Sequence, residues 1–232
     1  MTGKRTLAVI ATIMMIWTEA AAQYTMCTES DSFAVRKPLF SKIELAVENA
    51  PDTASKKVVM CAPAAFTGLI RPGFDHINIA GWHVAGDSLH KGFPCRNNTG
   101  GMICRKDGKI EFHDKTSYDS IVAADSDIHT AICQCMVILN GKEQEKFPRE
   151  EDWVASYRVL CERKGELFLF ETRCAMTRRR FMEELRKLDV DNAMYMEMGQ
   201  DYNHTWWRNQ DGKATVQYEK VNGSNWIVFE KE

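Results

Sequence analysis

The longest apolar run beyond the N-terminus is Ile128-His129-Thr130-Ala131-Ile132-Cys133-Gln134-Cys135-Met136-Val137-Ile138-Leu139, and it stops at Asn140-Gly141. A run this apolar, closed by a pair suited to a tight turn, predicts a strand covered on both faces. Side chains alternate across a strand, so Cys133 and Cys135 share one face and Gln134 takes the other. Shorter pieces flank it. Ile43 to Val47 alternates like a half-buried strand, although Ile43, Ala46, Val47 and Ala50 also fall at helical spacing, and Lys57 to Cys61 is a short strand ended by Pro63. Phe66 to Pro94 is Gly-rich and aromatic, a loop-rich stretch with brief strands near Ile77 and Trp82. Asp107-Gly108 followed by Lys109 to His113 reads as a hairpin turn and strand. Trp153 to Cys161 and Glu166 to Thr172 read as two strands around Lys164-Gly165. Gln23 to Pro38 is an extended arm, and Gly141 to Asp152 is a charged loop. Thr177 to Leu188 reads as a helix, with Phe181, Leu185 and Leu188 on one face. The C-terminus predicts a hairpin of Thr215 to Tyr218 against Trp226 to Phe229 around Asn222-Gly223. The fold class is therefore mainly β with one late helix.

The first 22 residues change the picture. Lys4 and Arg5 precede an apolar stretch from Thr6 to Trp17, and Ala20-Ala21-Ala22 supplies small residues for cleavage. That pattern is a secretory signal peptide, too short in its apolar part to span a bilayer, and it predicts a secreted, extracellular product. All eight cysteines, Cys27, Cys61, Cys95, Cys104, Cys133, Cys135, Cys161 and Cys174, follow it. An even count in a secreted chain predicts a disulfide framework. Cys95 and Cys104 bracket a Gly-rich loop and form one candidate pair. Cys161 and Cys174 form another, or reach Cys133 and Cys135. Asn97-Asn98-Thr99, Asn203-His204-Thr205 and Asn222-Gly223-Ser224 are N-glycosylation sequons, marking Asn97, Asn203 and Asn222. The formal net charge of -2, with acids and bases interspersed, points away from nucleic acid, and no later run predicts membrane insertion.

No catalytic, metal or cofactor motif is present. His76, His83 and His90 recur every seven residues within the Gly-rich stretch, a spacing without defined ligand geometry in a loop. Asp75 beside His76, and Asp87 beside Ser88, are adjacent in sequence only. Aromatic side chains stand out instead. Tyr202, Trp206 and Trp207 lie next to sequons, and Trp206 and Trp207 cannot both point inward on a strand. With Arg178, Arg179 and Arg180 at the start of the helix, they are the candidate contacts for a protein partner.

The cysteine frame resembles a known family. Ser41-Lys42-Ile43-Glu44-Leu45-Ala46-Val47, then Lys57-Val58-Val59-Met60-Cys61, then Ala80-Gly81-Trp82-His83-Val84-Ala85-Gly86 before Cys95, is similar to the atypical complement control protein (sushi) domains that parasitic nematodes secrete. Tyr157-Arg158-Val159-Leu160-Cys161 followed by Glu166 to Cys174 resembles the same segment again, and Cys135-Met136 resembles a domain opening. The resemblance implies two units, 23–132 and 133–232, the second carrying the helix and the C-terminal hairpin. It implies first-to-third and second-to-fourth pairing within each half. It also implies a non-enzymatic immunomodulator that binds a host cytokine or cytokine receptor, the interleukin-33 receptor being the nearest likeness. The competing expectations are a lipocalin-like small-ligand carrier with a closed barrel, and a secreted hydrolase using the histidines.

Overall fold

A computed structural model describes residues 24–66, 79–199, 203–221 and 223–232. The signal-peptide segment, His76, Asp75, Tyr202 and Asn222 lie outside the described residues. The chain is mainly β, as its patterning predicts, but has two helices in its described residues.

The strand Ile128–Leu139 is the centre. It is antiparallel to Asn192–Tyr195, Gly100–Arg105 and Trp82–Ala85, the last two flanking Ala131 from opposite edges, within an eleven-stranded sheet. Both faces are covered. Ile132 and Met136 face a five-stranded sheet through a shared core with Ile43, Leu45, Val59, Ile227 and Phe229. Gln134 shares that face and donates its side-chain amide to Ala64 O (3.5 Å). Cys133 and Cys135 face the helices. Cys133 packs with Tyr118 and Val122 of α1 (Lys115–Ala124), and Cys135 with Phe181 and Leu185 of α2 (Arg178–Arg186). The result is three layers: helices, large sheet, small sheet.

Local chemistry sets the ends of these elements. Asn140 (φ 52°) and Gly141 (φ 73°) both adopt the left-handed conformation that a two-residue hairpin turn requires. Thr177 caps α2, accepting the Arg180 N–H on its hydroxyl. Asp114 caps α1 in the same way through the Ser117 N–H. That helix is absent from the sequence expectation, although an Asp cap with Tyr118 and Val122 four apart is its signal.

The C-terminal hairpin is corrected. Asn225–Glu230 pairs with Lys42–Val47 and Val58–Pro63, while Ala214–Val216 pairs with Trp206–Arg208. A strand buried on both sides gains more than a two-stranded ribbon can offer, and the long-range partners prevail. The two-unit division fails on the same ground. Its boundary falls inside Ile128–Leu139, Phe33–Lys37 pairs with Glu166–Thr172, and each sheet draws strands from both halves. A lipocalin-like carrier needs a closed barrel, and among the described residues the large sheet is open, with Met26–Glu29 and Ser88–Lys91 at its ends.

None of the eight cysteines is bridged in the structure. Most of the expected pairs cannot form without rebuilding the sheet. Cys27 lies five strands from the Ile128–Leu139 strand against which the Cys95 loop rests, about 24 Å at normal strand spacing. A bridge needs Cα atoms within about 7 Å. Cys161 and the Cys133–Cys135 pair are separated by the Asn192–Tyr195 strand, about 10 Å. Gly100–Arg105 carries the chain about 14 Å from Gly100 to Cys104, with Cys95 beyond the other end. Cys161 pairs with Phe168, and the strand runs on about 14 Å to Thr172 before reaching Cys174.

Charge is buried between the sheets as well. Glu171, 1% exposed, accepts from Arg36 Nη1 on Oε2 (2.8 Å) and from Arg158 Nε on Oε1 (2.6 Å). Arg36 and Arg158 are 4% and 0% exposed. Arg158 also donates to Glu197 O (2.9 Å), Asn203 O (3.1 Å) and Thr205 Oγ1 (2.5 Å). Arg36 donates to the Gln217 side chain and lies 4.0 Å over the Trp207 ring. One carboxylate thus anchors two guanidinium groups that grip the small-sheet side.

Two outcomes are expected. Glu171→Ala leaves two buried cations without their carboxylate and should lower stability by about 3–5 kcal/mol in urea melts; a loss below about 1 kcal/mol contradicts the network's role. Burial also raises the thiol pKa of Cys104 and Cys133 to about 11 and of Cys135 to about 12, and pushes Cys61 and Cys161 higher still. At pH 8 these five stay protonated and enclosed. Iodoacetamide should label Cys27, Cys95 and Cys174 in the reduced native protein and all eight after denaturation; labelling of Cys161 in the native state contradicts the fold.

Candidate functional site

The cleft best furnished with chemistry opens where the segment after Asn192–Tyr195 meets the loops around Phe93 and Arg149. It encloses about 300 Å³ and is lined by Phe66, Phe93, Cys95, Asn97, Arg149, Ser156, Tyr195 and Glu197 among others. Its floor is aromatic. Tyr195 contacts Phe66 edge-on (5.7 Å), Phe147 (5.3 Å) and Tyr157 (6.1 Å). Tyr157 in turn stacks on Phe181 of α2 (4.5 Å) and donates its hydroxyl to Trp153 O (2.9 Å). Burial pushes the Tyr195 phenol well above the usual tyrosine range and raises Tyr157 too, so both rings are neutral at any physiological pH.

One wall is held from three sides. The Glu197 N–H donates to Ala64 O (3.0 Å), the Glu197 carbonyl accepts from Arg158, and the Glu197 carboxylate accepts the Gly199 N–H (2.7 Å). The buried Arg158–Glu171 pair therefore fixes this wall. The opposite rim carries Arg149, whose guanidinium lies over the Trp153 ring at 5.0 Å. No carboxylate pairs with Arg149 among the described residues, and its charge acts on both Tyr157 and Tyr195. Arg178 lies beside the floor, over Phe147 at 5.4 Å. The arrangement offers aromatic faces, hydroxyl and amide groups and a cation to one small ligand.

A larger groove of about 420 Å³ lies between Phe40–Ile43 and the hairpin at Asp107. Its charges are mostly engaged: Lys42 with Glu44, Arg105 with Glu111 and Asp125, and Lys231 over the Tyr24 ring. His129 at its edge bonds Asp87 through Nδ1 (2.6 Å). That bond holds the Asp87 carboxyl below its usual range.

The residues singled out from sequence are not brought together. Trp206 is fully buried and donates its indole N–H to Pro51 O (3.0 Å). Trp207 is half-buried beneath Arg36 and donates to Asn209 Oδ1 (3.0 Å). Neither is a free contact residue, because the two faces of their strand are both covered. Arg178 is half-buried, Arg179 is exposed beside Glu151 and Asp152, and Arg180 is exposed. Asn97 and Asn203 are half-buried, and Asn97 faces the cleft. His83 is buried and stacks on His90 across a hairpin (5.3 Å), and burial lowers its pKa. Among the described residues no group of metal ligands assembles, and no helix is long and apolar enough to cross a membrane. The exposed aromatic on this side is Trp153, at 51% exposure, next to Val154 at 60%. Sequence patterning placed Trp153 inside a strand. The charged residues just before it and Pro148 were the signal for a loop.

Comparison with protein-family models finds no match, and neither does comparison with curated proteins. Among solved structures, the chain is similar to the catalytic domain of zebrafish N-acetylglucosamine-1-phosphodiester alpha-N-acetylglucosaminidase, described as auto-inhibited by its pro-peptide. The TM-score is 0.60 at 12% identity, covering 90% of this chain and 82% of that one. A hypothetical protein from Synechocystis aligns with a TM-score of 0.49 at 11% identity, over 90% of this chain and 61% of that chain. The zebrafish likeness shows a shared fold.

Proposed function

We propose that the protein is a secreted ligand-binding protein whose cleft takes an anionic sugar, a glycoside carrying a phosphate group. Arg149 carries the reading: a guanidinium without a carboxylate partner among the described residues, set on the rim of a cleft floored by Phe66 and Tyr195. A guanidinium matches phosphate oxygens in a fork, and aromatic faces suit the apolar face of a sugar ring. The zebrafish domain acts, by its description, on an N-acetylglucosamine phosphodiester, which is the same ligand class; fold likeness alone does not transfer its activity. N-acetylglucosamine 1-phosphate should raise the melting temperature and bind measurably in calorimetry, while N-acetylglucosamine alone binds less. Arg149→Ala should weaken the phosphorylated sugar about tenfold or more without changing the unliganded melting temperature. Absence of binding, or equal binding by the variant, contradicts the reading. Release of free sugar from a phosphodiester would make the protein an enzyme.

The sequence-based reading, a non-enzymatic immunomodulator engaging a host cytokine receptor, keeps one observation in its favour. Trp153 and Val154 form an exposed apolar ledge beside Arg149 and Arg179, and Trp and Arg are among the residue types that dominate binding hot spots. On this reading the interleukin-33 receptor ectodomain binds the wild-type chain, and Trp153→Ala weakens it at least about tenfold. No binding to the ectodomain contradicts it.

A further inference from the structure

Cys95, half-buried on the cleft wall, lies in a loop tied on both sides to the segment that carries Cys133 and Cys135. Upstream, Phe93 O accepts the Gly81 N–H (2.9 Å). Gly81 is packed so tightly on the central strand that a Cβ added there would stand 2.8 Å from both Cβ and Sγ of Cys133. Downstream, Cys95 O accepts the Asn98 N–H (3.1 Å), which closes a tight turn. The Asn98 side chain then donates to Cys133 O (3.3 Å), and the Thr99 N–H donates to Gln134 O (3.0 Å). The Thr99 hydroxyl lies 3.9 Å from Cys135 Sγ. The turn thus folds Cys95 back over two thiols that share one face of the strand. Cys95 is close enough to both for an electrostatic interaction.

We propose that Cys95 and one of the two buried thiols, Cys133 or Cys135, close a disulfide that latches the cleft wall to the central strand, while Cys61, Cys104 and Cys161 remain thiols. Cys95 reaches solvent and the other two do not, so the order of steps follows. The Cys95 thiolate attacks one sulfur of oxidised glutathione, the S–S bond breaks, and one glutathione leaves. The buried thiol attacks Cys95 Sγ in the mixed disulfide and expels the second glutathione, whose thiolate takes up the buried thiol's proton. In sum two protein thiols lose two protons and two electrons, and one glutathione disulfide becomes two glutathiones. The latch is independent of what the cleft binds.

The test equilibrates the full chain in a glutathione redox buffer, blocks free thiols under denaturing conditions, and maps linked peptides by mass spectrometry without reduction. The expected product joins the Cys95 peptide to the peptide holding Cys133 and Cys135. Of Cys133→Ser and Cys135→Ser, one abolishes the link and the other preserves it. Oxidation should raise the melting temperature of the wild-type chain by roughly 5 °C and leave that of Cys95→Ser unchanged. Cys95 is half-buried in a turn, so its serine variant folds, and its melt verifies that. A free Cys95, a lasting glutathione adduct on it, or a link to any other cysteine overturns the proposal. So does an equal temperature rise in Cys95→Ser.

Discussion

Two guanidinium groups share one carboxylate in the middle of this protein. Arg36 and Arg158 each occupy one oxygen of Glu171, and all three side chains are nearly or fully excluded from water. Buried charge on this scale is costly unless it is paired and hydrogen-bonded. One carboxylate cannot balance two cations, and all but one of the remaining donors turn to neutral groups: the carbonyls of Glu197 and Asn203, the Thr205 hydroxyl, the Gln217 amide and the Trp207 ring face, with Arg36 Nε left without a hydrogen-bond partner among the described residues. Those acceptors belong to segments that a purely apolar core would leave unspecified. The network therefore sets where the small sheet sits and, through Glu197, where one cleft wall stands.

The layers follow from the central strand. Ile128–Leu139 is apolar on both faces, so one face takes a second sheet and the other takes helices. α2 brings Phe181 under Tyr157, and Tyr157 supports Tyr195. The floor is tied to regular elements through Tyr195 on its strand and Phe181 on α2, while Phe66, Phe147 and Tyr157 reach it from loops, as the rim residues do. A sugar phosphate entering the cleft would meet an aromatic floor below and Arg149 above.

Much of the scaffold was legible locally. Asn140-Gly141, Lys164-Gly165, the helical period from Thr177 and the apolar run through Cys133 each fix an element within a few residues, and each is found where its signal lies. What could not be read was partnership. Arg36 and Glu171 are 135 residues apart, and no spacing rule connects them. Trp206 and Trp207 suggested an exposed anchor because alternation forces one outward, yet outward here meets Arg36. The cysteines suggested a framework because their number is even, but the sheet separates most of the expected partners by more than a bridge can span. The sushi-like frame matched strands and cysteines in order and missed that strands from both halves pair with one another.

The central claim is that the buried Arg–Glu–Arg network carries order from the sheet interface to the cleft wall. Hydrogen–deuterium exchange of the triple variant Arg36→Met, Arg158→Met and Glu171→Leu tests it most directly, since that set removes all three charges while keeping apolar volume. The account predicts that residues 195–199 lose protection while Ile128–Leu139 exchanges as in the wild type. Unchanged protection at 195–199 in a folded triple variant would contradict it.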